Sequence, residues 1–412
     1  MERIEMSEVV INKPNINILY KILVVVACYS SFGAWFLATA DQVWLSILYL
    51  VCFFLFYLFC PHYFRFEKKS KIWFVLLLLA ILATIFHSNF YGFLSALISI
   101  LPFYFIFNLK ENYKSDILYF LFSFTSYCMA VSVCAYMLHS FGLSLPYSYL
   151  YVSDLYEYNN YYFFIERISL LDSILPLKRF HFIFYEPGYT GCLIALLFYI
   201  FSFDFKKYKQ LYLLLLPLFF TVSLAGWLLT LAGFISVKIK NSKHRFLGLV
   251  IMISFTLLLA LFFKIYKDGD NIVNLAIIER LEVGERDDGL ISGYNRSTEY
   301  IRDYFQKDFI HSKDALFGRP DARAFFDEDE NQNTNTDWIS YVIRYGWFGL
   351  SLFLLFVFYP PLAFRRHRYD LMFFSGFFLL IFSQTIFLIY GYMYLTVFSL
   401  GCNEIIKRNE TR

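Results

Sequence analysis

Charge is what this chain has least of: 17% of its 412 residues are charged, against 59% hydrophobic. A soluble globule of that length has too little interior to hide so much apolar surface, and the mean hydropathy is +0.53. The shortage of charge therefore excludes a soluble protein and implies a polytopic membrane protein. A net charge of only +3 gives no reason to expect nucleic acid as a partner. Cysteine is scarce as well. All seven cysteines (Cys28, Cys52, Cys60, Cys128, Cys134, Cys192 and Cys402) lie inside or at the ends of apolar runs, where a thiol behaves as a small hydrophobe. No CxxC pair occurs, which excludes a disulfide framework.

Several signatures are absent too. The chain has no Walker lysine motif, GxGxxG, HExxH or GxSxG, and nothing in its motifs calls for a nucleotide, a metal or another cofactor. No Pro/Gly/Ser linker separates soluble domains, and residues 1–412 read as one integral membrane domain. The first apolar run begins near Ile16 after a polar leader without a cleavage-site pattern, which predicts a retained helix.

What is present is a series of apolar runs. A spanning helix needs about 20 apolar residues, which predicts spans near 17–40, 43–64, 72–88, 90–108, 116–141, 184–204, 246–265 and 338–360. Two longer runs are flanked by basic residues on both sides. Lys206, Lys207 and Lys209 precede residues 211–239, and Lys238, Lys240, Lys243 and Arg245 close that run. Arg365, Arg366 and Arg368 precede residues 371–402, with Lys407, Arg408 and Arg412 beyond. Because cytoplasmic loops hold the excess Lys and Arg, each run reads as a short helical hairpin, about 210–240 and 371–404. The first would turn near Ser223 to Gly226. The sum is an all-α fold of about twelve transmembrane helices with both termini in the cytoplasm.

Two outer loops remain, about 142–180 and 266–337. The first is crowded with tyrosine (Tyr147, Tyr149, Tyr151, Tyr156, Tyr158, Tyr161 and Tyr162), which suits a membrane-interface belt or a sugar-stacking surface. The general enrichment of tyrosine at interfaces favours the belt. The second loop holds about half of the 33 acidic residues and reads as a helical cap with a solvated charged face.

These loops also hold arginines: Arg167 and Arg179, then Arg280, Arg286, Arg296, Arg302, Arg319 and Arg323. Outer positive charge runs against the positive-inside tendency, and guanidinium makes planar bidentate contacts with phosphate, so a lipid diphosphate is the natural partner. Glu186 precedes Pro187, which suits the first turn of a helix. Its carboxylate would cap that helix, orient Arg179 or receive a proton. His181 and His311 are candidates for proton transfer. Asp337, at the start of a span, would serve as a cap or as a general base.

The segments RFHFIFYEPGYTG, TVSLAGW, NRSTEYIRDYF with ALFG, and NTDWISYVIRYGWFGL occur in this order and topology. Together they resemble the O-antigen polymerase and ligase superfamily, and within it the Wzy-type polysaccharide polymerases. The resemblance implies a GT-C-like, metal-independent, inverting glycosyltransferase of the bacterial inner membrane. Such an enzyme joins undecaprenyl-diphosphate-linked oligosaccharide units at the periplasmic face, for O-antigen, capsule or exopolysaccharide. It also implies a chain-length regulator and a flippase as partners. By this resemblance Arg179 and Arg296 bind the diphosphate with help from Arg280, and Arg319 and Ser223 are secondary candidates. Asp337 stands where the ligases carry a histidine, a departure that counts against ligation of glycan to lipid A core. A flippase or transporter of lipid-linked sugar is the reading from another class. It would require charges deep within the spans, which are nearly free of them.

Overall fold

The computed structural model describes residues 18–38, 42–85, 98, 101–102, 104–153, 156–168, 178–241, 299–327 and 338–364. Helix accounts for 72% of what is described. Two helices are long and apolar enough to cross a membrane, Tyr113–Ser140 and Trp338–Phe356. The expected spans near 90–108 and 246–265 and the hairpin at 371–404 fall wholly or mainly outside the described residues.

Helices α1 (Ile18–Ser31), α2 (Trp35–Ala38), α3 (Gln42–Phe59) and α4 (Lys68–Ile85) lead to the 30-residue α5 (Glu111–Ser140). At about 1.5 Å per residue α5 is ~45 Å long, so its two ends face different surroundings. At its start, Lys21 of α1 forms a 2.7 Å ion pair with Asp116. Lys114 Nζ there donates to the Phe107 carbonyl at 2.6 Å, and Lys110 N–H donates to the Tyr63 carbonyl. Midway, Tyr29 and Thr125 share a buried hydrogen bond of 2.8 Å. Near its far end, Ser132 and Tyr136 donate to the Phe163 and Lys178 carbonyls. The far end therefore holds Phe163 and Lys178, and the near end holds Lys110, Lys114 and Lys21.

The expectation of an all-helical chain needs correction at the first outer loop. Residues 148–167 form a three-stranded antiparallel sheet, β1 (Ser148–Ser153), β2 (Tyr156–Asn160) and β3 (Ile165–Arg167), in the order β1-β2-β3. YEYNN opens with aromatic and polar residues in alternation, a pattern that lays one face on a core, whereas SYLYVS carries an unbroken aromatic and branched run from Tyr149 to Val152. Tyr158, Asn160 and Ile165 lie on the buried face, and Tyr149 and Tyr151 lie on the exposed one.

Beyond the sheet, α6 (Pro187–Ile200) has 14 residues, shorter than the expected 184–204 span. It ends at Phe201, after which Ser202 and Phe203 adopt left-handed backbone. A 3-10 turn (Lys209–Leu214) then runs into α7 (Leu215–Thr221), and α8 (Leu224–Asn241) follows. Val222 between them is left-handed, with φ 44°, and Ser223 caps α8 through its hydroxyl, which accepts the Gly226 N–H at 3.2 Å.

The described segment 299–327 comprises α9 (Glu299–Tyr304), which runs into a π turn (Phe305–Phe309), α10 (Asp314–Phe317) and α11 (Ala322–Asp327). It packs on α12 (Trp338–Phe364), which breaks at Gly346, where φ is 68° and ψ 176°. Trp73 of α4 lies stacked between Phe107 and Phe356, with ring centroids 4.8 and 5.1 Å away, and so ties α12 to the first half of the chain.

Candidate functional site

The run from Lys178 to Glu186 is where the described parts of the chain converge. Phe180 N–H donates to the Phe220 carbonyl and Ile165 N–H to the Phe182 carbonyl, both at 2.9 Å. Trp35 N–H donates to the Ile183 carbonyl at 2.9 Å, and Phe184 bridges Ala34. One irregular segment is thus tied to β3, to α7 and to the α1–α2 corner. Phe182 has φ 57°, a left-handed backbone that a bulky side chain seldom adopts. The bonds on both sides of the run hold it there.

Arg179 sits in this run half-buried, its Nε 3.4 Å from the Thr221 carbonyl at the end of α7. His181 is 2% exposed. Its Nδ1 lies 3.0 Å from the Tyr185 carbonyl, to which only an Nδ1–H can donate, which fixes the tautomer. The same carbonyl accepts the Tyr158 hydroxyl at 2.8 Å. Burial drives the His181 pKa down to about 3, and the positive fields of Arg179 and Arg167 push in the same direction. His181 is therefore neutral near pH 7, and its Nδ1–H is committed to the Tyr185 carbonyl. Two guanidiniums, Arg167 and Arg179, bear on one buried imidazole.

Glu186 is the N-cap residue of α6, with Pro187 at the first helical position and extended backbone at φ −123° and ψ 132°. Its carboxylate makes no capping hydrogen bond. The neighbouring acid Glu166 is buried and pairs with Lys178, while His139 stands 3.5 Å from it. This cluster anchors the far end of α5 to the Arg179 run.

The other candidates are distributed differently. Ser223 serves as the α8 cap. Thr221, whose carbonyl meets Arg179, is the nearby residue that sequence reasoning missed. His311 is exposed in the turn after Phe309. Arg319 is bidentate to Asp321 at 2.5 and 2.9 Å, and its guanidinium lies over the Phe325 and Tyr304 rings at 4.3 and 5.1 Å. The Asp321 partner raises the Arg319 pKa and Arg319 lowers that of Asp321. Arg319 is thus occupied in holding the outer segment together, and its own N–H donates to the Ile343 carbonyl at 2.8 Å, beside the break in α12. Arg344, within the NTDWISYVIRYGWFGL segment but not singled out there, lies over Phe326 at 4.6 Å. Arg280, Arg296 and Asp337 lie outside the described residues. Among the described residues no group of three His, Cys, Asp or Glu is arranged to hold a metal.

Compared with known proteins, the chain matches no family model, no curated protein and no solved structure.

Proposed function

We propose that the chain is a polysaccharide polymerase of the inner membrane, with about twelve spans and a GT-C-like fold. It extends glycan on undecaprenyl diphosphate at the outer face. The observation that supports this most is the joint action of Arg167 and Arg179 on buried His181, at the end of α5 remote from Lys110 and Lys114. Guanidinium groups gathered on the side opposite the basic clusters suit planar bidentate contact with phosphate, the headgroup chemistry of a lipid diphosphate.

In this reading Arg179 and Arg296, with Arg280, hold the donor diphosphate. An acceptor sugar hydroxyl attacks the donor's anomeric carbon, and the bond from that carbon to the diphosphate oxygen breaks. The electron pair leaves with the diphosphate, whose charge the arginines stabilise. The hydroxyl proton passes to Asp337, for which Glu186 or His311 are the alternatives, and attack from the face opposite the leaving group inverts the anomeric centre.

The test is the ladder of surface polysaccharide on a gel. Arg179→Ala and Arg296→Ala should each abolish long chains while the protein stays in the membrane; normal ladders in both would refute the assignment. In a deletion strain, core bearing a single unit is the polymerase outcome. Uncapped core marks a ligase, and lipid-linked units stalled inside the cell mark a transporter.

A further inference from the structure

The sheet in the first outer loop has a face that the proposed chemistry does not use. Its inner face is committed, with Tyr158, Asn160 and Ile165 each no more than 2% exposed and Tyr158 bonded to the Tyr185 carbonyl. Its other face is covered at one end, where Glu166 opposite Asn159 is buried and paired with Lys178, and open at the other. Tyr149 and Tyr151 are 56% and 55% exposed, and the register sets Tyr149 opposite Asn159 and Tyr151 opposite Glu157. Paired residues of an antiparallel ladder project to one side, so two phenol rings, an amide and a carboxylate share this face. At strand spacing the two rings are about 7 Å apart.

This composition decides against two other occupants. A tyrosine belt in the bilayer interface would lay apolar ring faces against acyl chains. Here Glu157 stands among the rings, and as a hydrogen-bond acceptor it raises the Tyr149 pKa. Sinking an ionised carboxylate and an amide into lipid is unfavourable. A hydrophobic protein contact has the same difficulty, since interface cores are depleted of charge. A neutral sugar chain has the complementary chemistry. The C–H bonds on the flat side of a pyranose meet the negative face of an aromatic ring, and its hydroxyls donate to the carboxylate and bond with the amide.

The sheet is also continuous with the Arg179 run. Arg167 is the last residue of β3, paired with Tyr158, and Ile165 is bonded to Phe182. We propose that Tyr149 and Tyr151, with Glu157 and Asn159, form a glycan-binding surface that holds the sugar part of the lipid-linked chain while its diphosphate is held elsewhere. This rests on the polymerase reading for its place in a reaction but not for the binding itself.

The experiment uses the full-length protein in detergent. The probe is the repeat-unit oligosaccharide cut from the host's own surface polysaccharide, free of lipid and phosphate, with binding read by saturation-transfer NMR. Wild type should bind it. The Tyr149→Ala/Tyr151→Ala pair should bind about tenfold more weakly or worse, since each ring stack is worth about 1 kcal/mol. The Tyr149→Phe/Tyr151→Phe pair should retain binding, because the rings remain. An equal unfolding midpoint for the alanine pair establishes that it is folded, and Glu157→Gln with Asn159→Ala gives a second variant set that leaves the rings in place. Absence of binding by wild type, or undiminished binding by the folded alanine pair, would overturn the proposal. Arg179→Ala should leave this binding intact. Retained binding with normal polysaccharide ladders in both Arg179→Ala and Arg296→Ala would sink the polymerase reading alone. A lost ladder in Arg179→Ala with undiminished glycan binding by the tyrosine pair would sink the sheet site alone.

Discussion

Gly191 and Gly226 meet backbone to backbone where α6 crosses α8: a Cβ added at Gly226 would lie 2.7 Å from the Gly191 Cα. No side chain separates the helices at that point, as at the small-residue crossings of membrane helices. The crossing brings Ser223 and the end of α7 against α6, and with them the Thr221 carbonyl that meets Arg179.

Gly226→Ala should therefore destabilise the protein by about 1–3 kcal/mol, the usual cost of overpacking. Gly191→Ala should do less, because its added Cβ would find the Gly226 Cα at 3.0 Å. Unfolding midpoints followed by size-exclusion fluorescence after heating check the order, and equal midpoints for both variants would contradict the crossing.

Gly318 and Gly346 form a second close approach, at the break in α12. A Cβ on Gly346 would lie 2.2 Å from the Leu316 carbonyl oxygen, and one on Gly318 would lie 2.3 Å from that of Arg344. Both have positive φ, 68° and 91°. Alanine at either position meets backbone rather than a movable side chain, and strain adds to the clash. Each variant should lose several °C of thermal midpoint, and limited proteolysis should cut first between residues 299 and 327.

The Lys21–Asp116 pair predicts an asymmetric mutational response. Lys21 keeps 10% of its side-chain exposure and Asp116 29%, so breaking the pair should cost about 2 kcal/mol, less than the 3–5 of a fully buried pair. Lys21→Met strands the acid, and adding Asp116→Asn should recover part of the loss. A double variant no more stable than Lys21→Met would show that the pair contributes nothing.

His181 predicts a pH dependence. Its folded pKa, about 3, lies below the ordinary histidine value of about 6.5, so the unfolded chain binds a proton that the native one rejects. The stability it contributes is fully present above about pH 6.5 and is lost progressively as pH falls towards 3, to a ceiling of about 5 kcal/mol. His181→Gln should flatten the decline in unfolding midpoint between pH 7 and pH 4. An unchanged slope would assign the acid sensitivity elsewhere.

Sidedness has its own test. An alkaline phosphatase reporter fused after residue 155 or 300 should be active, and one fused after residue 68 or 207 inactive. Inactive reporters at both outer positions would invert the topology.

How far the sequence reached depends on the range of the physics involved. The start of α6 at Pro187 was legible because proline fixes φ and constrains the residue before it, a matter of two neighbours. The predominance of helix was legible because long apolar runs must satisfy their own backbone. The sheet was missed because tyrosine counts as aromatic in any window, and only pairing separates buried Tyr158 from exposed Tyr149.

By itself, then, the sequence determined a strongly apolar and mainly helical chain, since composition and period are local properties. The tertiary structure alone decided which of those groups keep company. His181 became a buried neutral residue, and Arg179 came to meet Thr221 and share its field with Arg167. It did so through bonds from Ile165 to Phe182, Trp35 to Ile183 and Phe180 to Phe220. Electrostatics and burial depend on neighbours far apart in the chain, and no window of sequence contains them.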